Sequence, residues 1–397
     1  MSKLEELIKQ LCLNGVEYKT LGELGKFYGG ITGKSKEDFK DGNAKFITYK
    51  NVYENISLKL DVEDKVKISE KENQRTLEYG DIIFTGSSET PDECGISSVI
   101  TKKVEEKLYL NSFCFFFRMN NKEILNPDFA KHLFRSSNLR YQIGKTASGV
   151  TRFNVSKKAM EKICIPVPPL EVQCEIVHIL DDFTLLSAEL SAELKARRKQ
   201  YEYYKKTLFE NKNIELKTLK ELATNCDNKR KPITSGNREK GEYPYYGASG
   251  IVDYVKGYIF DGDYLLISED GANLVARKTP IAFSISGKNW VNNHAHVLKF
   301  SNMYLQKYVE MYLNYINIEQ YISGAAQPKL NQVNLNKIVI PIPNNDTLKN
   351  IVDILLKFDK ITNDISEGLP AEIEARQKQY EYYRDKLLTF KELKVNE

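Results

Sequence analysis

The chain repeats itself, and the repeat limits what it can fold into. Residues 193–204 read ELKARRKQYEYY and residues 372–383 read EIEARQKQYEYY, identical at nine of twelve positions with an offset of 179. VEYKTLGEL at Val16–Leu24 answers IELKTLKEL at Ile214–Leu222 with an offset of 198. KICIPVP at Lys162–Pro168 answers KIVIPIP at Lys337–Pro343. Each half therefore runs in one order: a short opening, a long and poorly matched middle, an apolar strand closing on Pro-x-Pro, and a long helix. Self-similarity of this kind calls for two related structural units. Drift after a plain duplication would erode ends and middles alike. Matching ends with unlike middles point instead to one scaffold carrying two different jobs of one kind.

The helices are legible from spacing. After Pro169, Leu180, Phe183, Leu186, Leu190, Leu194, Tyr201, Tyr204 and Leu208 recur in steps of three and four, with Arg197 filling the one gap. In the second half the stripe is Leu355, Phe358, Ile361, Ile365, Leu369, Ile373, Tyr380, Tyr383 and Leu387. A narrow stripe at this spacing is a coiled-coil seam. Each helix is expected to run roughly 40 residues, or ~60 Å at 1.5 Å per residue. Gly368 and Pro370 predict a kink or break in the second. A small domain seldom covers so long a stripe, so the two helices are expected to pack antiparallel on each other.

The middles are mixed. Phe46–Tyr53, Gly80–Gly86 and Leu108–Met119 are rich in aromatic and β-branched residues and predict strands, and Asp128–Lys145 predicts a helix. In the second half Gly262–Ser268, Pro280–Ser286 and His294–Phe300 predict strands, and Met303–Ile316 a helix. Both middles are α+β, with strands first and a helix last.

Composition excludes more than it selects. With 41% hydrophobic and 28% charged residues the chain is of the globular type. No apolar run approaches the ~20 residues needed to span a bilayer. The opening MSKLEELIKQLCLNG has no long apolar stretch or cleavage site, so no secretory signal is expected and the expected compartment is the cytoplasm. Cys12, Cys94, Cys114, Cys164, Cys174 and Cys226 stand singly, with no Cys-x-x-Cys pair to suggest zinc. The net charge of +4 permits a nucleic-acid partner without arguing for one.

The paired ARxKQYEYY helices, the TLxEL openings and the I-P-x-P strand ends resemble the DNA-specificity subunits of type I restriction–modification systems. Tyr243–Tyr254 (YPYYGASGIVDY), Ser268–Arg277 (SEDGANLVAR) and Trp290–Leu298 (WVNNHAHVL) resemble stretches common in their target-recognition domains. The resemblance covers nearly the whole chain. It implies an α+β fold with a pseudo-twofold repeat, in which two long helices form an antiparallel coiled coil. The implied boundaries are 1–168 for a first target-recognition domain, 169–211 for a first spacer helix, 212–343 for a second domain and 344–397 for a second spacer helix. Each domain is expected to read one half of a split site in double-stranded DNA. The helices are expected to set the spacer and dock two modification (methyltransferase) subunits, with restriction subunits as a further addition. S-adenosylmethionine is expected in the modification subunit, and no cofactor, metal or catalytic residue in this chain. Residues 187–194 read SAELSAEL, which resembles the family's length-setting tetrapeptide repeat. Four residues add ~6 Å of helix and return nearly to the same face. Ordinary helix composition is the competing reading.

The enzyme alternatives lack their motifs. Asn126-Pro127-Asp128 fails the adenine methyltransferase motif at its third position, and Gly33-Lys34-Ser35 lacks the leading glycine of a phosphate loop, having Tyr28 there. His294 and His296 alternate on an expected strand and would share a face, but no third metal ligand is near. Glu269-Asp270-Gly271 is better taken as a turn than as a nuclease pair. A scaffold or dimerisation rod that binds no DNA remains as the alternative.

Expected phosphate contacts come from two small polar loops in corresponding places: Lys145, Thr146, Ser148 and Arg152 in Gly144–Arg152, and Ser323, Gln327 and Lys329 in Ser323–Lys329. Solvated connecting loops are the competing reading. Expected base contacts, from residue type and loop position, are Lys50, Asn51, Ser87 and Ser88 in the first domain. In the second they are Ser249, Asn273, Arg277, Asn292 and Asn293. Tyr203-Tyr204 and Tyr382-Tyr383 are expected on or beside the helix seam. Arg197, Lys199, Arg376 and Lys378 either meet a partner subunit or stay solvated.

Overall fold

The computed structural model describes residues 3–210, 214–324 and 327–393. The expected boundary between residues 211 and 212 lies outside the described residues, as do Ala325 and Ala326 of the second polar loop. The chain forms two compact units, Met1–Ser191 with Glu372–Glu397, and Ala192–Ala371.

In the first unit the repeated opening and the repeated Pro-x-Pro segment are the two halves of one ladder. Strand β1 (Glu17–Thr20) pairs antiparallel with Cys164–Val167, from Glu17 opposite Val167 to Thr20 opposite Cys164. Thr20 then ends the strand by capping the helical turn Leu21–Leu24 in a reciprocal box with Glu23. The main sheet is β2 (Gly25–Gly29), then Cys114–Met119, Ile82–Thr85 and Ser97–Val99, all antiparallel. CFFFRM runs almost unbroken in apolar residues because both faces are covered. Phe115 and Phe117 face one core with the helices Pro127–Leu133 and Ser137–Gly144, and Cys114 and Phe116 face another with Ile83 and Leu110. A second sheet pairs β3 (Ala44–Ile47) parallel with Leu108–Leu110, and a third orders Ala147–Ser148, Phe153–Val155 and Ser87–Ser88.

The second unit repeats this plan. Glu215–Thr218 pairs with Val339–Ile342, and Thr218 with Glu221 rebuilds the capping box. Ala223–Asn225, Ala295–Phe300, Tyr264–Ser268 and Ala282–Ile285 form the main sheet in the same order. Lys240–Gly247 pairs parallel with Lys288–Val291 and antiparallel with Gly250–Val255. Helix Met303–Tyr315 buries Tyr308, Val309 and Leu313 in the core.

Four expectations need correction. Phe46–Tyr53 is a strand only to Ile47: Thr48 accepts the Asn51 amide and starts the helix Tyr49–Glu54. Leu108–Met119 is two strands, because the Asn111 side chain accepts the Phe113 amide and turns the chain. Asp128–Lys145 is two helices that break at Phe134–Ser136, where Arg135 turns toward the carbonyls of Ser97, Val52 and Tyr53. The strand that carries His296 starts at Ala295, so His294 sits in the preceding turn, exposed, while His296 is buried.

The first long helix is continuous for 40 residues, Leu170–Phe209. Val172, Ile176 and Leu180 are buried in the first unit, where Phe183 stacks on Tyr383 at 5.3 Å between ring centroids. In the second unit Tyr201 and Tyr204 lie against Phe358, and Arg198 donates to the Thr362 carbonyl, so the helix runs antiparallel to Asn345–Asn363. The second long helix breaks where expected, into Asn345–Asn363 and Leu369–Leu387. Asp364 accepts the Ser366 and Glu367 amides in the gap, and Ile365 of the expected stripe is exposed there. Among the described residues no helix is long and apolar enough to cross a membrane.

Candidate nucleic-acid interface

Strand pairing gathers most of the first unit's candidates. Ser87 pairs with Asn154 and Ser88 with Phe153, while Ser148 pairs with Asn154 from the other side. Arg152, one residue before this ladder, donates from Nε to the Ser87 hydroxyl at 3.1 Å. Ser88 donates to Glu93 at 3.1 Å. Lys145 lies over the Tyr141 ring at 4.2 Å, and Thr146 closes the preceding helix by donating to the Ile143 carbonyl. Lys50 and Asn51 lie apart from this ladder on the short helix Tyr49–Glu54, although the Tyr49 hydroxyl reaches the Ser87 carbonyl at 3.1 Å. Lys50 is exposed, 3.8 Å from Glu54. Asn51 spends its side chain on the Lys59 carbonyl and amide, holding its own loop. Beside the ladder opens a cavity of about 940 Å³ lined by Gly29, Gly86, Phe113, Lys34, Lys36 and Lys157. Lys34 is paired with Glu72 at 2.5 Å, and this hydrogen bond holds the Glu72 carboxyl down at about 2.

In the second unit the backbone of Asp270 forms an antiparallel β-bridge with that of Lys329, and Ser323 exchanges both backbone hydrogen bonds with Lys329. Ser323, Gln327 and Lys329 thus belong to one loop folded onto the end of Tyr264–Ser268. The tip residues Ala248 and Ser249 join it, through the Ser268 hydroxyl on the Ala248 carbonyl. Asn292 is buried and accepts the His294 amide, and Asn293 beside it is exposed. Two candidates stand apart. Asn273 closes its own loop on Thr279. Arg277, at φ 50°, donates to the Leu313 and Ile316 carbonyls at the end of helix Met303–Tyr315, and burial pulls its pKa below the usual arginine value.

Under this loop lies a charged network that the sequence did not announce. Arg230 donates to Glu269 at 2.6 Å and lies 3.3 Å from Asp227. His296 meets Asp227 at 2.6 Å through Nδ1 and donates from Nε2 to the Leu330 carbonyl at 2.7 Å. Lys329 reaches Glu269 at 3.2 Å. Burial opposes the charge on Asp227, but the hydrogen bond and charge of His296 outweigh it and hold the carboxyl below its usual value. Glu269 is likewise held low against burial, by Arg230, His296 and Lys329.

The two sites share one frame. Gly86 donates to the Phe113 carbonyl at 2.7 Å and Glu269 to the His294 carbonyl at 2.9 Å. The Val155 amide reaches Gly86, and the Leu330 amide reaches Glu269. Asn111 and Asn292 build the same turn. By this register Ser87 stands where Asp270 stands, Asn154 where Lys329 stands, and Arg152 where Gln327 stands.

The family profile described as "Type I restriction modification DNA specificity domain" matches the chain twice, at residues 14–197 and 211–375. A putative type I restriction enzyme specificity subunit of Haemophilus influenzae is 37% identical over 190 residues, covering 47% of this chain and 49% of that protein. The EcoR124I/EcoR124II specificity subunit of Escherichia coli is 35% identical over 266 residues, covering 59% and 65%. The chain thus matches about half the length of the first of these relatives and just under two thirds of the second. The crystal structure of a type I restriction–modification S subunit from M. genitalium shares the fold, with a TM-score of 0.54 and 16% identity over 94% of this chain and 96% of that one. With both copies of the profile spanning most of its length, the chain belongs to the family of type I restriction–modification DNA specificity domains.

Proposed function

We propose that this chain is the DNA-specificity subunit of a type I restriction–modification complex and contributes no catalytic group of its own. Each unit reads one half of a split site in double-stranded DNA. The observation that carries this reading is the shared frame: two loops with the same backbone hydrogen bonds present unlike side chains, Ser87 in one unit where the other has Asp270. A reader of two different half-sites needs the same approach to the groove and different groups at the base edges.

Within this reading Arg152, Lys145, Ser148, Ser323, Gln327 and Lys329 face phosphates. Ser87, Ser88, Lys50, Ser249 and Asn293 supply the base-reading edge, with Asp270 at the place of Ser87 in the second unit. Asn51, Asn273, Asn292 and Thr146 shape the loops, their polar atoms engaged on local backbone, and Arg277 ties its turn to the end of helix Met303–Tyr315. Two modification subunits, which carry S-adenosylmethionine and methylate adenine, dock on the helices, and restriction subunits join the same assembly in the cytoplasm. Duplicate surfaces support two partners. Arg197 reaches Glu193 and Gln200, and Arg376 repeats the pattern with Glu372 and Gln379. Tyr203 and Tyr382 stand exposed beside them.

The test is mapping of methylated adenine in a host genome with and without this chain. Loss of one bipartite motif on deletion is expected, with the motif restored by the intact gene. An unchanged methylation map, together with no salt-sensitive DNA binding by the assembled complex, leaves the helices as a rod without a reading function.

A further inference from the structure

The shared turn displays one ring in each unit, and the two rings differ in chemistry. In the first unit the Asn111 side chain accepts the Phe113 amide at 2.7 Å, while the Phe113 carbonyl accepts the Gly86 amide. The backbone is held on both sides, yet Phe113 is 61% exposed. In the second unit Asn292 accepts the His294 amide at 2.8 Å, the His294 carbonyl accepts from Glu269, and the imidazole is 51% exposed. Asn111 and Asn292 are themselves fixed by equivalent amide bonds, to the Ile47 and Tyr246 carbonyls at 3.1 and 3.0 Å. A single exposed phenyl ring is ordinary on a surface. A rigid turn built twice, presenting a ring each time at the edge of the candidate loops, is not explained by packing. Gly86 adjoins Ser87 and Glu269 adjoins Asp270, so each ring sits next to the residues already placed at the reading edge.

We propose that Phe113 and His294 are specificity-determining residues, one for each half-site. This rests on the DNA-reading function above and names the contacts that would set it. Phe113 offers only an apolar face, which matches the C5-methyl of thymine in the major groove. His294 offers a hydrogen bond. Its Nδ1 lies 2.8 Å from the Asp270 carboxylate. An ionised carboxylate can only accept, so Nδ1 carries a proton, and in its neutral form the ring presents Nε2 as an acceptor. That nitrogen matches the exocyclic amine of adenine or cytosine. Because backbone and tautomer are fixed before DNA arrives, little ordering entropy is lost on contact.

The experiment uses the full chain assembled with its modification subunits, methylating a library with randomised half-sites. For Phe113→Ala, one position in one half-site should become degenerate. That position should be an A·T pair in the wild-type motif, with discrimination falling from roughly tenfold or more to about one. Phe113→Leu, which keeps an apolar face, should retain most of the preference. Replacing that thymine by uracil should cost the wild type what Phe113→Ala costs, with no further loss when both are combined. His294→Ala should relax one position in the other half-site and leave the first untouched. The proposal is overturned if either alanine variant keeps the full motif, if both relax the same half, or if the Phe113 position is a G·C pair. Melting of each variant within a degree or two of wild type separates lost reading from lost folding. A wild-type library with no bipartite motif would instead overturn the DNA-reading function itself.

Discussion

At matching positions one unit is open and the other is filled with charge. Gly29, Gly86 and Phe115 of the first unit stand where Asp227, Glu269 and His296 stand in the second. The first leaves a cavity of about 940 Å³ bordered by Lys34, Lys36 and Lys157. The second packs Asp227, Arg230, Glu269 and His296 together, each side chain 13% exposed or less. The backbone hydrogen bonds of the turn are the same in both, Gly86 to Phe113 and Glu269 to His294, but the strand that pairs through Gly29 with Phe115 gives way in the second unit to a helical turn at Asp227, whose carboxylate accepts the Val297 amide. The lesson is that this scaffold separates shape from chemistry. Its Asx turns fix where a side chain is displayed, and at Gly86 and Glu269 a glycine and a carboxylate occupy the frame with its backbone hydrogen bonds unchanged.

The largest break in the comparison should come from removing the cation at the centre of the second network. Arg230→Met leaves Glu269 and Asp227 with less compensation in a site that stays largely dry. Stranding one partner of a buried pair costs about 3–5 kcal/mol. Native-state hydrogen exchange should show that loss in amides of the second unit, with those of Ile82–Thr85 unchanged. Equal loss in both units would mean that the network does not belong to one reader.

Acid should act on the same network. Asp227 and Glu269 have folded-state pKa values held below their unfolded values. Their stabilisation is therefore complete above the unfolded carboxylate range near pH ~4 and is lost as pH falls through the lower folded values. Asp81 in the first unit is opposite in sign: burial raises its pKa even though Arg118 pairs with it at 2.7 Å, so it favours the folded state more as pH falls. Glu269→Gln should make the second unit's loss of protection below pH ~4 shallower and leave the first unit's profile alone.

A smaller effect separates the two helix ends. Tyr380 and Tyr201 occupy matching places in the repeat and both are buried. Tyr380 is bonded to His132 Nδ1 at 2.9 Å, while His132 Nε2 lies 2.8 Å from Asp181. Burial pushes the His132 pKa down, and the Asp181 carboxylate accepts the hydrogen bond of Nε2–H, so in the neutral ring Nδ1 accepts from the Tyr380 hydroxyl. Tyr380→Phe should cost about 1–2 kcal/mol by orphaning that nitrogen. Tyr201→Phe, which keeps the stack on Phe358, should cost less. Urea unfolding of the two variants gives the difference directly.

The repeat made the scaffold legible. The TLxEL opening and the I-P-x-P closing, matched as strings, are the two strands of one ladder in each unit, and Gly368 with Pro370 marked the helix break. Local capping was harder to see. Phe46–Tyr53 has strand composition, and only the oxygen of Thr48 turns its second half into helix. The site was legible by location and not by role. Asn51, Asn273 and Arg277 have the right residue types, but their polar atoms are committed to backbone groups, of their own loops for the two asparagines and of the end of helix Met303–Tyr315 for Arg277, which no single-sequence pattern displays. The pairing of Ser87 with Arg152 depends on a ladder between segments far apart in sequence. One usable signal was passed over: Asn-x-ring occurs as Asn111-Ser112-Phe113 and again as Asn292-Asn293-His294, 181 residues apart.

The finest test of the shared frame lies in its two loop cations. Arg152 is tethered only through Nε, and among the described residues its terminal nitrogens carry no hydrogen bond, which leaves a guanidinium free for a phosphate. Its counterpart Gln327 is neutral, and the nearby Lys329 is already drawn to Glu269. Arg152→Ala should therefore weaken binding of the assembled complex about equally for all DNA sequences, and reduce the slope of log affinity against log salt by about one. Gln327→Ala should leave the slope as it is. A Lys329→Ala variant should fall between them, because Glu269 offsets part of the charge that would otherwise displace counterions. If Arg152→Ala changes which sequences are bound and leaves the salt slope intact, Arg152 reads a base, and the two loops differ in role as well as in charge.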